Sequence, residues 1–134
     1  MAKKRLTIEE VQSRIDERGL NMTVIEWNGT TKPCKVKCNE CGIIVTFKNG
    51  VSVWQVKTKY GGNDGCLLCK AIDEKKDDKE YLHDYLYSKK NANEYILYKI
   101  KEKDEENLSY KEKMDIISLE NRIEAYNCLI KKYL

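Results

Sequence analysis

Cys38-Asn39-Glu40-Cys41-Gly42 and Gly65-Cys66-Leu67-Leu68-Cys69 decide how this chain is read. Each is a Cys-x2-Cys pair beside a glycine, and 24 residues lie between Cys41 and Cys66. Two such pairs at this kind of separation are the donor set of a closed four-thiolate zinc site, with Cys38, Cys41, Cys66 and Cys69 as ligands. Four sulfurs leave no open coordination position, so Zn2+ would hold structure and do no chemistry. A redox Cys-x2-Cys needs a βαβ setting, and the flanking sequence offers none.

Working outward, Lys35-Val36-Lys37-Cys38 reads as a strand running into the first pair, and Ile43 to Phe47 as a strand leaving it. Leu20 to Trp27 is rich in β-formers and ends at Asn28-Gly29, a strong turn signal. Upstream, Thr7 and Glu10 form a capping-box signature. Ile8, Val11 and Ile15 follow at helical spacing, and Gly19 supplies a left-handed stop. Residues 51–60 suit strand or helix equally. Gly61-Gly62-Asn63-Asp64-Gly65 reads as a loose polar loop delivering Cys66. A paired knuckle on a hairpin, followed by a second pair opening a helix, is the treble-clef arrangement.

Beyond Cys69 the character changes: residues 70–134 hold neither glycine nor proline, and almost every window suits helix. The expected elements are a helix from about Cys66 to Lys90, with Tyr81, Leu82, Tyr85 and Leu86 on one face. A break at Asn91-Ala92-Asn93 follows, then a helix over Glu94 to Lys103 and a third opened by the Ser109–Glu112 capping box. In the third, Ile116, Leu119, Ile123, Tyr126, Ile130 and Tyr133 step 3-4-3-4-3. That seam serves either packing inside a helical hairpin or a homodimer through residues 116–133. The fold class is α+β: a small treble-clef zinc module over residues 1–72, then a helical tail over residues 73–134.

With 134 residues, 41% hydrophobic and 35% charged, the composition is that of a globular protein. No apolar stretch approaches the ~20 residues that span a bilayer. Met-Ala-Lys-Lys-Arg is followed by no apolar segment, which reads as no secretory leader. Thiols arranged for metal belong to a reducing compartment, so the expected location is cytoplasmic. The formal net charge is +3, and four thiolates around Zn2+ bring it to about +1. Its distribution is uneven. Residues 1–70 carry 12 Lys/Arg against 7 Asp/Glu, and residues 71–134 carry 13 against 15.

The run Glu17-Arg18-Gly19-Leu20, Glu26-Trp27-Asn28-Gly29, Lys35 to Gly42 and Gly61 to Cys69 resembles the small treble-clef zinc-ribbon modules of phages, large DNA viruses and mobile elements. Those modules often stand beside homing-type or Vsr-like nuclease domains. The resemblance covers about half the chain. It implies zinc ligation by Cys38, Cys41, Cys66 and Cys69, packing of the first strand by Trp27, and a DNA-binding role.

A nucleic-acid surface would draw on Lys35, Lys37, Lys48, Lys57, Lys59 and Tyr60, with Lys32 and Trp54 nearby and Lys3-Lys4-Arg5 as a basic arm. Lys35 and Lys37 share a strand face by the period of two. The plainer alternative is a set of solvated lysines, a loose N-terminal tail and a Trp54 that belongs to the core. Cys34 can stand in as a ligand or be a reduced strand cysteine, and Cys128 falls in helix packing. Catalysis has little support. His83 is the only histidine, and the acidic pairs alternate with lysines as solvated helix faces do. The expectation is a non-enzymatic nucleic-acid-binding protein. The alternative is a factor whose tyrosine-rich tail docks on a host protein, such as an inhibitor of a host defence complex.

Overall fold

The computed structural model describes residues 6–59 and 61–134. Tyr60 and the Lys3-Lys4-Arg5 arm lie outside the described residues. The chain is α+β. Its elements run α1 (Ile8–Glu17), β1 (Met22–Glu26), β2 (Cys34–Cys38), β3 (Ile44–Phe47), α2 (Leu67–Glu74), α3 (Lys79–Lys101) and α4 (Tyr110–Tyr133), with short 3-10 turns at Gly50–Val53 and Glu105–Asn107. Two compact units form, one from residues 1–40 and 44–68, the other from residues 41–43 and 69–134.

In the first unit, α1 starts where expected. The Thr7 hydroxyl accepts the Glu10 amide at 3.2 Å and donates to the Glu10 carboxylate at 3.3 Å. It ends where Gly19 takes φ 65, a conformation that glycine adopts at no steric cost. The three strands form an antiparallel sheet in the order β1-β2-β3, with Val36 opposite both Val24 and Val45. Alternation along β2 is clean: Cys34, Val36 and Cys38 are buried, while Lys35 and Lys37 point to the other face. The buried face joins Val11 and Ile15 of α1, Met22 and Val24 of β1, and Val53 in one core. Gln12 pins α1 to β1, donating to the Met22 carbonyl and accepting from the Val24 amide, both at 2.8 Å.

Trp27 and Trp54 are half-buried, their rings 6.0 Å apart, and the Arg14 guanidinium sits 4.8 Å from the Trp54 centroid. Gly50 lies tight against this pair. A Cβ there would overlap the Trp27 ring and the Gly29 carbonyl.

The second unit is built on α3 and α4, which pack against each other. Leu82 and Leu86 of α3, and Leu119, Ala125, Tyr126 and Leu129 of α4, are buried, as is Ile72 of α2. Ile116, Ile123, Ile130 and Tyr133 are half-buried. The α4 seam is therefore broader than the 3-4 stepping suggested, because Ala125 and Leu129 widen it. The expected Ser109–Glu112 capping box is present in both directions.

Two expectations about the helices fail. The helix expected from Cys66 to Lys90 is two helices, because Asp78 caps α3 by accepting the Tyr81 amide at 3.0 Å and residues 75–78 turn. Conversely, Asn91-Ala92-Asn93 does not break α3. The Asn93 side chain donates back to the Lys89 carbonyl at 2.6 Å, and packing against α4 outweighs asparagine's mild helix penalty. No helix among the described residues is long and apolar enough to cross a membrane.

Leu86 is fully buried and Ile117 is 57% exposed. Leu86→Ala should cost about 2–5 kcal/mol, and Ile117→Ala less than about 0.5 kcal/mol. Urea denaturation followed by circular dichroism reads both.

Candidate metal centre

The first pair sits on a two-residue tip at the end of β2. Asn39 and Glu40, between the ligands, are tied down from β1 and the residue before it. The Asn39 amide donates to the Asn21 carbonyl at 3.0 Å, and the Thr23 hydroxyl donates to the Asn39 side chain at 2.7 Å. The side chain of Asn21 donates to the Glu40 carboxylate at 3.2 Å, while Asn21 itself takes φ 55. Asparagine is among the few non-glycine residues that accept such a backbone. Past Cys41, Gly42 turns at φ 84, and its carbonyl accepts from the Asn121 side chain at 2.9 Å.

The second pair brackets the start of α2. Cys66 precedes Leu67, its first residue, and Cys69 lies in its first turn. The positive end of the helix dipole favours anionic sulfur there.

These local features bring Cys38, Cys41, Cys66 and Cys69 together, with all four Sγ atoms within 4.8 Å of one another. Cys38, Cys41 and Cys66 are buried and Cys69 is half-buried. A tetrahedral metal with sulfur at about 2.3 Å sets the sulfurs about 3.8 Å apart, which this cluster accommodates. None of the six cysteines is in a disulfide. The donor set can hold a metal ion.

Cys34 is not in that cluster. It lies on the core face of β2, fully buried. Burial, and then the Glu26 carboxylate, push its thiol up to about 11. Cys128 is a half-buried side chain on α4. His83 is exposed on α3, its Nδ1 3.5 Å from Asp84 and its ring 4.6 Å from Tyr87.

Of the lysines singled out for nucleic acid, Lys35 and Lys37 share the outer face of β2. Lys35 stands opposite Thr46, and Lys37 stands between Thr23 and Ile44. The Lys35 ammonium is 3.8 Å from Glu26. Lys32 and Lys48 are exposed just beyond the Cys34–Phe47 end of the β2–β3 pair. Lys57 and Lys59 are exposed on a separate segment that turns tightly between Thr58 and Gly61.

Sequence reading missed one feature. The segment 61–65 is not loose: Asn63 is 2% exposed and hydrogen-bonded on all sides, and Arg18 grips the segment from the end of α1. An Asn between glycines, with an Arg before a helix-ending Gly, was the available signal. The partners are 45 residues apart in the chain, so local pattern could not join them. Comparison of the chain with known protein families, with characterised proteins and with solved structures finds no match.

Metal binding and folding are coupled in modules this small. Cys38→Ser and Cys66→Ser should each unfold the N-terminal half, and a normal thermal melt of either variant would contradict the metal centre. Cys34 makes a separate prediction. A thiol that ionises at about 11 in the fold, against an ordinary 9.0, keeps its proton longer than in the unfolded chain. Its stabilising contribution is complete below pH 9.0 and is lost as pH rises towards 11. Cys34→Ala should flatten that alkaline decline in melts across this range.

Proposed function

We propose that the chain is a non-enzymatic, zinc-stabilised nucleic-acid-binding protein of viral or mobile-element type, built on a treble-clef module. Zn2+ is the ion that best suits four thiolates at this spacing. The observation that carries the reading is the division of β2 between its two faces. One face sends Cys34, Val36 and Cys38 into the core; the other presents Lys35 and Lys37.

Such a strand roots two lysine stems about 7 Å apart on a rigid support, a spacing that lets their ammonium groups reach successive phosphates. Exposed Thr23 and Thr46, cross-strand from Lys37 and Lys35, add hydroxyl donors. The Lys35–Glu26 pair is exposed at both ends. Surface pairs of this kind are worth about 0–1 kcal/mol, so a phosphate can displace the carboxylate. Lys32, Lys48, Lys57 and Lys59 extend the basic surface of this half. Trp54, half-buried against Trp27 and Arg14, supports the fold more than it offers a stacking face.

A second reading rests on a different observation. Tyr95 and Tyr98 on α3 are each 62% exposed, and Tyr110 at the start of α4 is 79% exposed. Tyrosine brings contact area at little entropic cost, so such side chains suit a protein interface. In this alternative the helical tail docks on a host protein.

Titration against labelled double- and single-stranded DNA and RNA at several salt concentrations separates the two. The nucleic-acid reading predicts a log–log slope of about −3 or steeper, as three or more neutralised phosphates require. It also predicts that Lys35→Glu, Lys37→Glu and Lys57→Glu together abolish binding without changing the melt. No binding at low salt would retire it in favour of the tail.

A further inference from the structure

The segment that carries Cys66 is held by a clamp whose parts come from three places in the first unit. Arg18, the residue capping α1, points its Nη1 at three carbonyls: Trp54 at 3.3 Å, Gln55 at 2.8 Å and Asn63 at 2.6 Å. Its Nη2 lies 3.7 Å from the Asp64 carboxylate. Asn63 is buried, and its side chain bridges backward and forward along the chain. Nδ2 donates to the Val53 carbonyl at 2.9 Å and lies 3.4 Å from the Met22 sulfur, while Oδ1 accepts the Gly65 amide at 2.9 Å. The Asn63 amide donates to the Gln55 carbonyl at 2.9 Å. The backbone is thus fixed on both sides of residue 63, one step before Gly65 turns at φ 97 and Cys66 follows.

None of these contacts involves a sulfur ligand or a metal. They restrain the second pair through the protein alone. β3 and Val53 anchor the chain as far as residue 53. Without the clamp, the stretch from there to Cys66 would be a loop that metal binding itself must order, and the entropy of ordering would come out of the metal affinity. We infer that Asn63, gripped by Arg18, is a positioning residue for the metal centre, holding the approach to Cys66 in place so that less of the ordering of this ligand has to be driven by the ion. This inference rests on the metal reading above. Groups that orient ligands in this way characteristically change metal affinity 10–100-fold when removed.

The test is competition between the full-length protein and a chromophoric chelator for Zn2+, with Co2+ substitution to report a tetrahedral thiolate spectrum. Asn63→Ala and Arg18→Met are compared with Val11→Ala, which opens the same core from α1 without touching the clamp. Asn63→Ala should weaken metal binding about 10–100-fold, and Arg18→Met should weaken it in the same direction. Val11→Ala should lower the melting temperature but leave the affinity, measured well below the melt, within about threefold of the parent. Equal affinity losses in Asn63→Ala and Val11→Ala would overturn the inference, because the loss would then be one of general stability. Should Asn63→Ala fail to fold, Arg18→Met carries the comparison alone. If the parent protein gives no thiolate spectrum, it is the metal reading that fails, and this inference with it.

Discussion

Four sulfurs drawn within 4.8 Å of one another are the constraint on which the backbone around both cysteine pairs depends. Two thiolates about 4 Å apart repel by about 4 kcal/mol at an effective dielectric near 20, and a set of four has six such pairs. The arrangement is held by protons or by a cation, and a dication with tetrahedral preference is the better partner. Close approach also dictates backbone: Asn21 and Gly42 in left-handed conformations and a two-residue tip between Cys38 and Cys41. The polar side chains that fasten the tip and the 61–65 segment are as much part of the arrangement as the sulfurs.

β2 links that constraint to the surface. A strand alternates sides at every residue, so anchoring Cys34, Val36 and Cys38 inward fixes Lys35 and Lys37 outward. Slipping the register by one would expose the ligand and bury two ammonium groups, which is prohibitive. Whatever Lys35 and Lys37 meet is therefore met by two side chains rooted on one face of a fixed strand. The helical unit is organised differently. Its apolar residues zip α3 to α4, and its exposed tyrosines stand away from that seam.

Much of this was legible in the sequence because it is local. The two cysteine pairs, the strand entering Cys38, the cap at Thr7, the stop at Gly19 and the box at Ser109 are each written within a few residues. The failures share a cause. Asp77-Asp78 looked like a solvated stretch of helix, yet Asp78 found a better use as a cap. Asn91 and Asn93 looked like a break, yet contacts from α4, distant in sequence, kept the helix whole. Asn63 looked like loop filler among glycines. Its burial depends on Arg18, Val53 and Met22, which no local window unites.

The central claim is that this donor set binds one zinc ion through four sulfurs. X-ray absorption at the zinc edge, on protein whose metal stoichiometry is fixed by native mass spectrometry, tests it most directly. The account predicts one zinc per chain with four sulfur neighbours at about 2.3 Å. Absence of bound metal from the folded protein, or a shell containing nitrogen or oxygen in place of any sulfur, would contradict it.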